Sequence, residues 1–214
     1  MVKNMKNGLF ITFEGCEGSG KTTACKYLYN RLKDEGYDVI YSREPGGVDI
    51  AEQIREVILN VKNTAMDART EALLYAASRR QHLVEVILPA LAAGKTVLCD
   101  RFIDSSLVYQ GFARGIGIDK VWDINKFAID DCLPDLTVYY DVEPEVGLSR
   151  VRSRGELNRL DAEGLNFHKS VRHAYQMIAE KYPERIVTID ANQPLKVVEE
   201  ESYNTVINRL NSNE

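Results

Sequence analysis

The chain has 214 residues, 44% of them hydrophobic, and a formal charge of −5 from 27 Lys and Arg against 32 Asp and Glu. That length and apolar content allow one globular domain, residues 1–214, with a sizeable core. The acidic balance gives no global basic field for a nucleic-acid backbone, so any anion has to be held by a local site.

The four cysteines, Cys16, Cys25, Cys99 and Cys132, form no CxxC pair, and the three histidines offer no i, i+4 metal pair. His168 and His173, five apart, fall on different helical faces. Neither a structural metal nor a disulfide framework is indicated, and solvated or core roles are expected for all seven residues. At the N-terminus, MVKNMKNGLFITF has only a short apolar run, which reads as a first core strand rather than a signal peptide. No segment is long and apolar enough to cross a bilayer, so a cytoplasmic protein without membrane association is expected.

In chain order, short β-branched runs alternate with longer amphipathic stretches. LFITFE (9–14), DVIYSRE (38–44), TVLCD (96–100), LTVYYDV (136–142) and RIVTIDA (185–191) predict strands. Helices are predicted near 20–35, 49–60, 68–93, 118–131, 143–153, 163–181 and 195–210. Strands separated by helices and buried on both faces pair in parallel through right-handed crossovers. The expected fold is α/β, a five-stranded parallel sheet flanked by helices. RVRSRGELNRLDAEG (150–164) breaks the rhythm with Arg150, Arg152, Arg154 and Arg159 beside two glycines, and reads as a lid.

The first predicted strand runs into Gly15-Cys16-Glu17-Gly18-Ser19-Gly20-Lys21-Thr22, which matches GxxxxGK[ST] and is followed by a helix pattern. Glycines there let backbone N–H groups point inward, and the helix N-terminus favours negative charge. Lys21 would reach the β- and γ-phosphates, and the Thr22 hydroxyl would face Mg²⁺. The motif predicts nucleotide binding but not the use made of it: kinase, switch, motor and ligand-free turn all begin this way. Asp100, ending TVLCD, is the strand-end carboxylate that would organise Mg²⁺ beside such a loop, although a capping Asp looks the same in isolation. A switch GTPase needs an NKxD base reader, and the only NK, Asn125-Lys126, continues Phe127-Ala128 inside a helical pattern. A motor needs more chain than 214 residues readily supply.

REPGG (43–47), DRFIDSSLVYQG (100–111) and the arginine-rich 150–161 segment, together with the phosphate loop, resemble bacterial thymidylate kinases. The four motifs stand in the family's order over most of the chain. The resemblance implies a P-loop nucleoside monophosphate kinase fold with a lid at about 150–162, and transfer of the γ-phosphoryl group of ATP to dTMP with Mg²⁺ as cofactor. It also implies a homodimer. ATP would be held by Gly15, Cys16, Glu17, Gly18, Ser19, Gly20, Lys21, Thr22 and Thr23, with Arg150 on the adenine side; Thr22 and Asp100 would serve Mg²⁺, partly through water.

For dTMP, the resemblance assigns phosphate contacts to Arg43, Arg55 and Arg101, with Glu44 and Pro45 beside them. Tyr75, where the family often has Phe, would stack on thymine, Arg79, Ser106 and Gln110 would face the base, and Ser105 would also belong to the dTMP-binding set. Tyr109 would close the space of a ribose 2′-hydroxyl, and Glu17 would face the sugar 3′-hydroxyl and the attacked phosphate. Residues 16–19 contain no arginine, which resembles the type in which lid arginines, here Arg154 and Arg159, supply transition-state charge. Lys21, Asp100 and Arg101 complete the implied catalytic set.

Overall fold

The structure, a computed structural model, describes residues 8–153, 159–161 and 163–212. Its elements run β1 (Phe10–Gly15), α1 (Lys21–Asp34), β2 (Val39–Arg43), α2 (Asp49–Leu59) and α3 (Ala68–His82). A π-helical turn (Leu83–Ile87) leads into α4 (Leu88–Ala92), then β3 (Thr96–Asp100) and α5 (Ile103–Ser106), which continues as a second π segment (Leu107–Ala113). α6 (Ile118–Ile129), β4 (Leu136–Asp141), α7 (Pro144–Arg152), α8 (Leu165–Lys181), β5 (Ile186–Asp190) and α9 (Leu195–Asn211) follow.

The five strands form one sheet in the order β2-β3-β1-β4-β5, and every pair is parallel. The fold class is therefore the α/β arrangement expected from the strand and helix rhythm. β1 and β3 are buried along their whole length, which is why FITFEG and TVLCD are nearly continuous apolar runs. The edge strand β5 instead exposes Val187, Thr188 and Asp190.

The register aligns Phe13 with Asp100 and Arg43 with Asp100. The carboxyl ends of β1, β2 and β3 thus lie side by side, delivering Gly15, Arg43 and Asp100 to the sheet edge where open α/β folds bind ligands. Phe10 packs edge-on against Phe102, with ring centroids 4.8 Å apart, and both are buried. That contact ties β1 to the turn after β3, and Phe102→Ala is expected to cost about 3–5 kcal/mol.

Two helical stretches carry π segments. The single helix expected over 68–93 widens into the π turn just before Pro89, which has no N–H to return to the carbonyl four residues back. After Asp100, α5 passes without a break into the second π segment, which carries Tyr109 and Gln110. π segments recur at functional sites.

Candidate active site

The phosphate loop forms where β1 ends. Gly18, at φ 71°, lies so close to α7 that a Cβ would stand 2.1 Å from the Gly147 carbonyl oxygen. Gly20, at φ 86°, makes the left-handed turn into α1 that side-chain-bearing residues avoid. Lys21 is buried at the first position of α1, and its Nζ donates to the Cys16 carbonyl at 3.2 Å. Its ammonium is shifted below the usual lysine range by burial first and by the Arg101 guanidinium second. From the next position the Thr22 hydroxyl donates to Asp100 Oδ2 at 2.5 Å, joining α1 to the end of β3.

Arg101 has φ 72°, an uncommon conformation for a non-glycine residue. Its N–H donates to the Phe13 carbonyl at 2.9 Å, and the next N–H, of Phe102, donates to the buried Glu14 carboxylate at 2.7 Å. The side chain extends across the site: Nη2 donates to Glu17 at 2.8 Å, and Nη1 donates to the Gly15 carbonyl at 3.2 Å and Ser105 Oγ at 3.1 Å. Glu17 also accepts from the Tyr109 hydroxyl at 2.6 Å, and His168 Nδ1 lies 3.6 Å away. Burial alone would raise the Glu17 carboxyl, but Arg101, His168, Lys21 and Tyr109 together hold it well below the usual carboxylate range.

These groups open on a cavity of about 450 Å³ whose wall includes Lys21, Thr22, Asp100 and Arg101 on the phosphate-loop side and Arg43, Pro45, Arg55 and Tyr75 opposite. Arg43 and Arg55 converge on one acceptor, the Pro45 carbonyl, each at 2.8 Å, and Arg43 also pairs with Glu52. The Arg55 guanidinium is shifted down by burial and then by Arg43. Two ammoniums, those of Lys21 and Lys26, and three guanidiniums around one space make a site for a multiply charged anion, and guanidinium forks suit phosphate oxygens.

Deeper in, Glu44 is buried and accepts from Arg79 Nε at 2.8 Å, with His82 Nδ1 at 3.0 Å. Arg79 also donates to Ser106 Oγ, the Phe102 carbonyl and Asn125. A guanidinium has five N–H donors, so among the described residues one of Arg79's remains on Nη2 beyond these four bonds.

The thymidylate kinase family model matches residues 13–202. The chain belongs to that family. It is 61% identical over 199 residues to the thymidylate kinase of Clostridium novyi, covering 92% of this chain and 97% of that one. With the thymidylate kinase of Geobacillus thermodenitrificans it shares 58% over 206 residues, 95% of this chain and 92% of the relative. The crystal structure of thymidylate kinase from Ehrlichia chaffeensis superposes with a TM-score of 0.76 at 33% identity, covering 93% of this chain and 98% of that one. The chain is accordingly a nucleotide-binding transferase, a dTMP kinase that phosphorylates dTMP at the expense of ATP.

Of the residues singled out by resemblance to thymidylate kinases, the structure brings Glu17, Lys21, Thr22, Arg43, Glu44, Pro45, Arg55, Tyr75, Asp100 and Arg101 to one cavity wall. Ser105, Ser106, Tyr109 and Gln110 are buried behind it. Arg150, on α7, donates to the Gly18 and Ala191 carbonyls and borders a separate hollow of about 220 Å³ with Ser19, Gly20 and Gln193. Thr23 is exposed on α1. Among the lid arginines, Arg154 lies outside the described residues. Arg159 stands away from the large cavity: its Nε donates to the Ile58 carbonyl at 2.9 Å and its Nη2 pairs with Glu71, while its neighbours Leu160 and Asp161 border the cavity.

Several residues that shape the site escaped sequence reasoning. Glu14 accepts from Phe102 N–H, Ser105 N–H, Ser105 Oγ and Tyr175 Oη and so fixes the start of α5. Its signal was a charge at the end of an otherwise apolar strand, since a buried carboxylate needs partners. Glu71, Asn125 and His168 carried no local signal. His168, expected to be solvated or core, is buried against Glu17 with Nε2 lacking a hydrogen-bond partner among the described residues.

Proposed function

We propose that the dTMP kinase reaction runs across the large cavity, with phosphate chemistry at the sheet edge and the nucleoside against Tyr75. One observation carries this: Lys21, Thr22 and Asp100 share a single space with Arg43, Arg55, Arg101 and Tyr75. In this reading residues 15–23 hold the ATP phosphates, and the hollow beside Arg150 takes the adenine. Arg43, Arg55 and Arg101 hold the dTMP phosphate, and the burial and neighbouring guanidiniums that shift Lys21 and Arg55 down are offset by bound phosphate oxygens.

Mg²⁺ fits the donor chemistry. A hydroxyl and a carboxylate, both hard oxygen ligands, are already adjacent at Thr22 and Asp100. Among the described residues no group of three or more His, Cys, Asp or Glu could hold a metal, which suits an ion that keeps waters and phosphate oxygens as most of its ligands. When bound, it would neutralise charge on the phosphates.

The acceptor needs no protein base, because a phosphate monoester has its second pKa near about 6 and is largely dianionic at pH 7. Glu17, anionic and held by Arg101 and Tyr109, positions these two side chains rather than abstracting a proton. Transfer then depends on alignment and cationic charge. We assign the mobile share of that charge to the lid arginines Arg154 and Arg159, the latter exchanging Glu71 for phosphate.

The same proposal takes residues 1–214 as one kinase domain acting in the cytoplasm; no helix among the described residues is long and apolar enough to cross a membrane. It also includes a homodimer. Phe127 on α6 is 89% exposed, and Leu73 on α3 is 56% exposed, apolar surface that a second copy would cover. The deciding experiment is ADP release with Mg²⁺ and ATP against a panel of nucleoside monophosphates. dTMP should be the best acceptor and dUMP weaker by roughly 1–3 kcal/mol for its missing methyl. Equal or better turnover of AMP, GMP or CMP would reject the assignment.

A further inference from the structure

We infer that Glu71 is a specificity-determining positioning residue: it fixes the polarity of the Gln110 amide, so that the pocket takes a pyrimidine bearing N3–H and rejects one with a bare N3. This rests on the proposal that the base lies against Tyr75 with Gln110 at its edge.

Helix α3 carries Glu71, Tyr75 and Arg79 at four-residue spacing, and hence on one face. Facing it, α5 and the following π segment carry Ser106 and Gln110 at the same spacing. Two rungs join the faces: Arg79 Nη1 donates to Ser106 Oγ at 2.9 Å, and Gln110 Nε2 donates to Glu71 Oε1 at 2.8 Å. Tyr75, between the rungs in sequence, lines the cavity.

A carboxylate can only accept, so it selects the NH₂ side of the Gln110 amide and turns Oε1 away from itself. Glu71 is 1% exposed and is also held by Arg114 at 3.4 Å, a contact that remains when Arg159, its other partner, exchanges it for phosphate. Gln110 is equally buried, and among the described residues its Oε1 accepts no hydrogen bond. The first rung keeps one uncommitted N–H on Arg79. The pair therefore offers a donor and an acceptor. A thymine or uracil edge presents O4, an acceptor, and N3–H, a donor, and matches both. Cytosine presents a 4-amino donor and a bare N3 acceptor, which reverses both contacts and leaves buried polar groups opposed.

The test is kcat/KM for dTMP, dUMP and dCMP with Mg²⁺ and ATP, in the full chain and in Glu71→Gln. A glutamine at 71 can meet Gln110 with either end of its amide, which frees Gln110 to turn its NH₂ to the base. The dTMP:dCMP ratio should narrow by about tenfold or more. The dTMP:dUMP ratio should hold, because uracil has the same N3–H and O4; losing the Arg159 pair slows all three alike. Glu71→Asp, whose carboxylate stops one methylene short of the amide, should show the same narrowing and serves if the glutamine variant melts early. Gln110→Ala separates the two levels of the claim. If it narrows dTMP:dCMP and neither Glu71 variant does, Glu71 does not set the polarity and the inference is overturned while the base-site proposal stands. If none narrows the ratio, Gln110 does not read the base and both fall. Equal shifts of the dUMP and dCMP ratios would make Glu71 a packing residue and also overturn the inference.

Discussion

The phosphate end and the base end of the cavity are built by different means. At the phosphate end, one continuous run, Gly15 to Thr22, supplies the loop, the buried ammonium and the hydroxyl, and Arg43, Arg55, Asp100 and Arg101 join it from elsewhere. At the base end the two rungs each join two helices, Arg79 to Ser106 and Glu71 to Gln110, with Glu44 and Asn125 holding Arg79 from a strand end and a third helix. Phosphate is recognised largely by backbone geometry and charge, which a short motif can encode. A base edge is recognised by fixed donors and acceptors, and fixing a buried side chain takes partners from across the fold.

The largest effect expected at the phosphate end is loss of the lid charge. Arg154→Ala should lower kcat by about 10³-fold or more, the range of arginines that follow a transferring phosphoryl group. Arg159→Ala gives the contrast. If it exchanges Glu71 for phosphate, kcat falls as for Arg154→Ala; if it only anchors the lid to Glu71 and Ile58, KM for dTMP rises and kcat holds. Steady-state ADP release separates the two.

Asp100→Asn should fold normally and reduce kcat by about 10²–10³-fold at saturating Mg²⁺, since the oxygen facing Thr22 loses its charge. Near wild-type turnover would move the metal site to another carboxylate.

A smaller effect is expected from Glu17→Gln, about tenfold on kcat through weaker positioning of Arg101 and Tyr109. The pH profile is the sharper readout. A carboxyl held below its usual range stays ionised at and above its unfolded pKa, so its contribution is present at neutral pH and is lost only as pH falls through the depressed folded value. The acid limb of kcat/KM for dTMP should therefore follow the substrate phosphate near about pH 6, unchanged in Glu17→Gln. A limb that moves with this substitution would make Glu17 a proton acceptor after all.

The smallest effect concerns Cys16. Burial first, then Glu17, pushes its thiol up to about 12, so little thiolate exists at pH 8. Alkylating agents should leave activity intact over hours at that pH; rapid inactivation blocked by Cys16→Ala would contradict this.

The contrast between the two ends also explains what the sequence disclosed. The parallel sheet was legible because FITFEG and TVLCD are nearly continuous apolar runs, and the phosphate loop because its residues are contiguous. Arg79 and Gln110 came into view only through the resemblance of their motifs. Glu71 and Asn125 did not, since a glutamate near the start of one helix and an asparagine within another look solvated until packing buries them, to 1% and 0% exposure. Glu14 stood in plain sight, but its four donors come from residues 88 to 161 positions away. The π segments were hidden as well, because a widened helical turn has nearly the same apolar period as a regular one.

The most direct test of this division is the dTMP:dCMP ratio of kcat/KM in Arg101→Lys and Arg79→Lys, each keeping a positive charge and losing the fork. The account predicts that Arg101→Lys slows both acceptors in proportion and leaves the ratio at its wild-type value, whereas Arg79→Lys narrows it by about tenfold or more. A ratio that collapses in Arg101→Lys and holds in Arg79→Lys would contradict it, placing acceptor choice at the phosphate end.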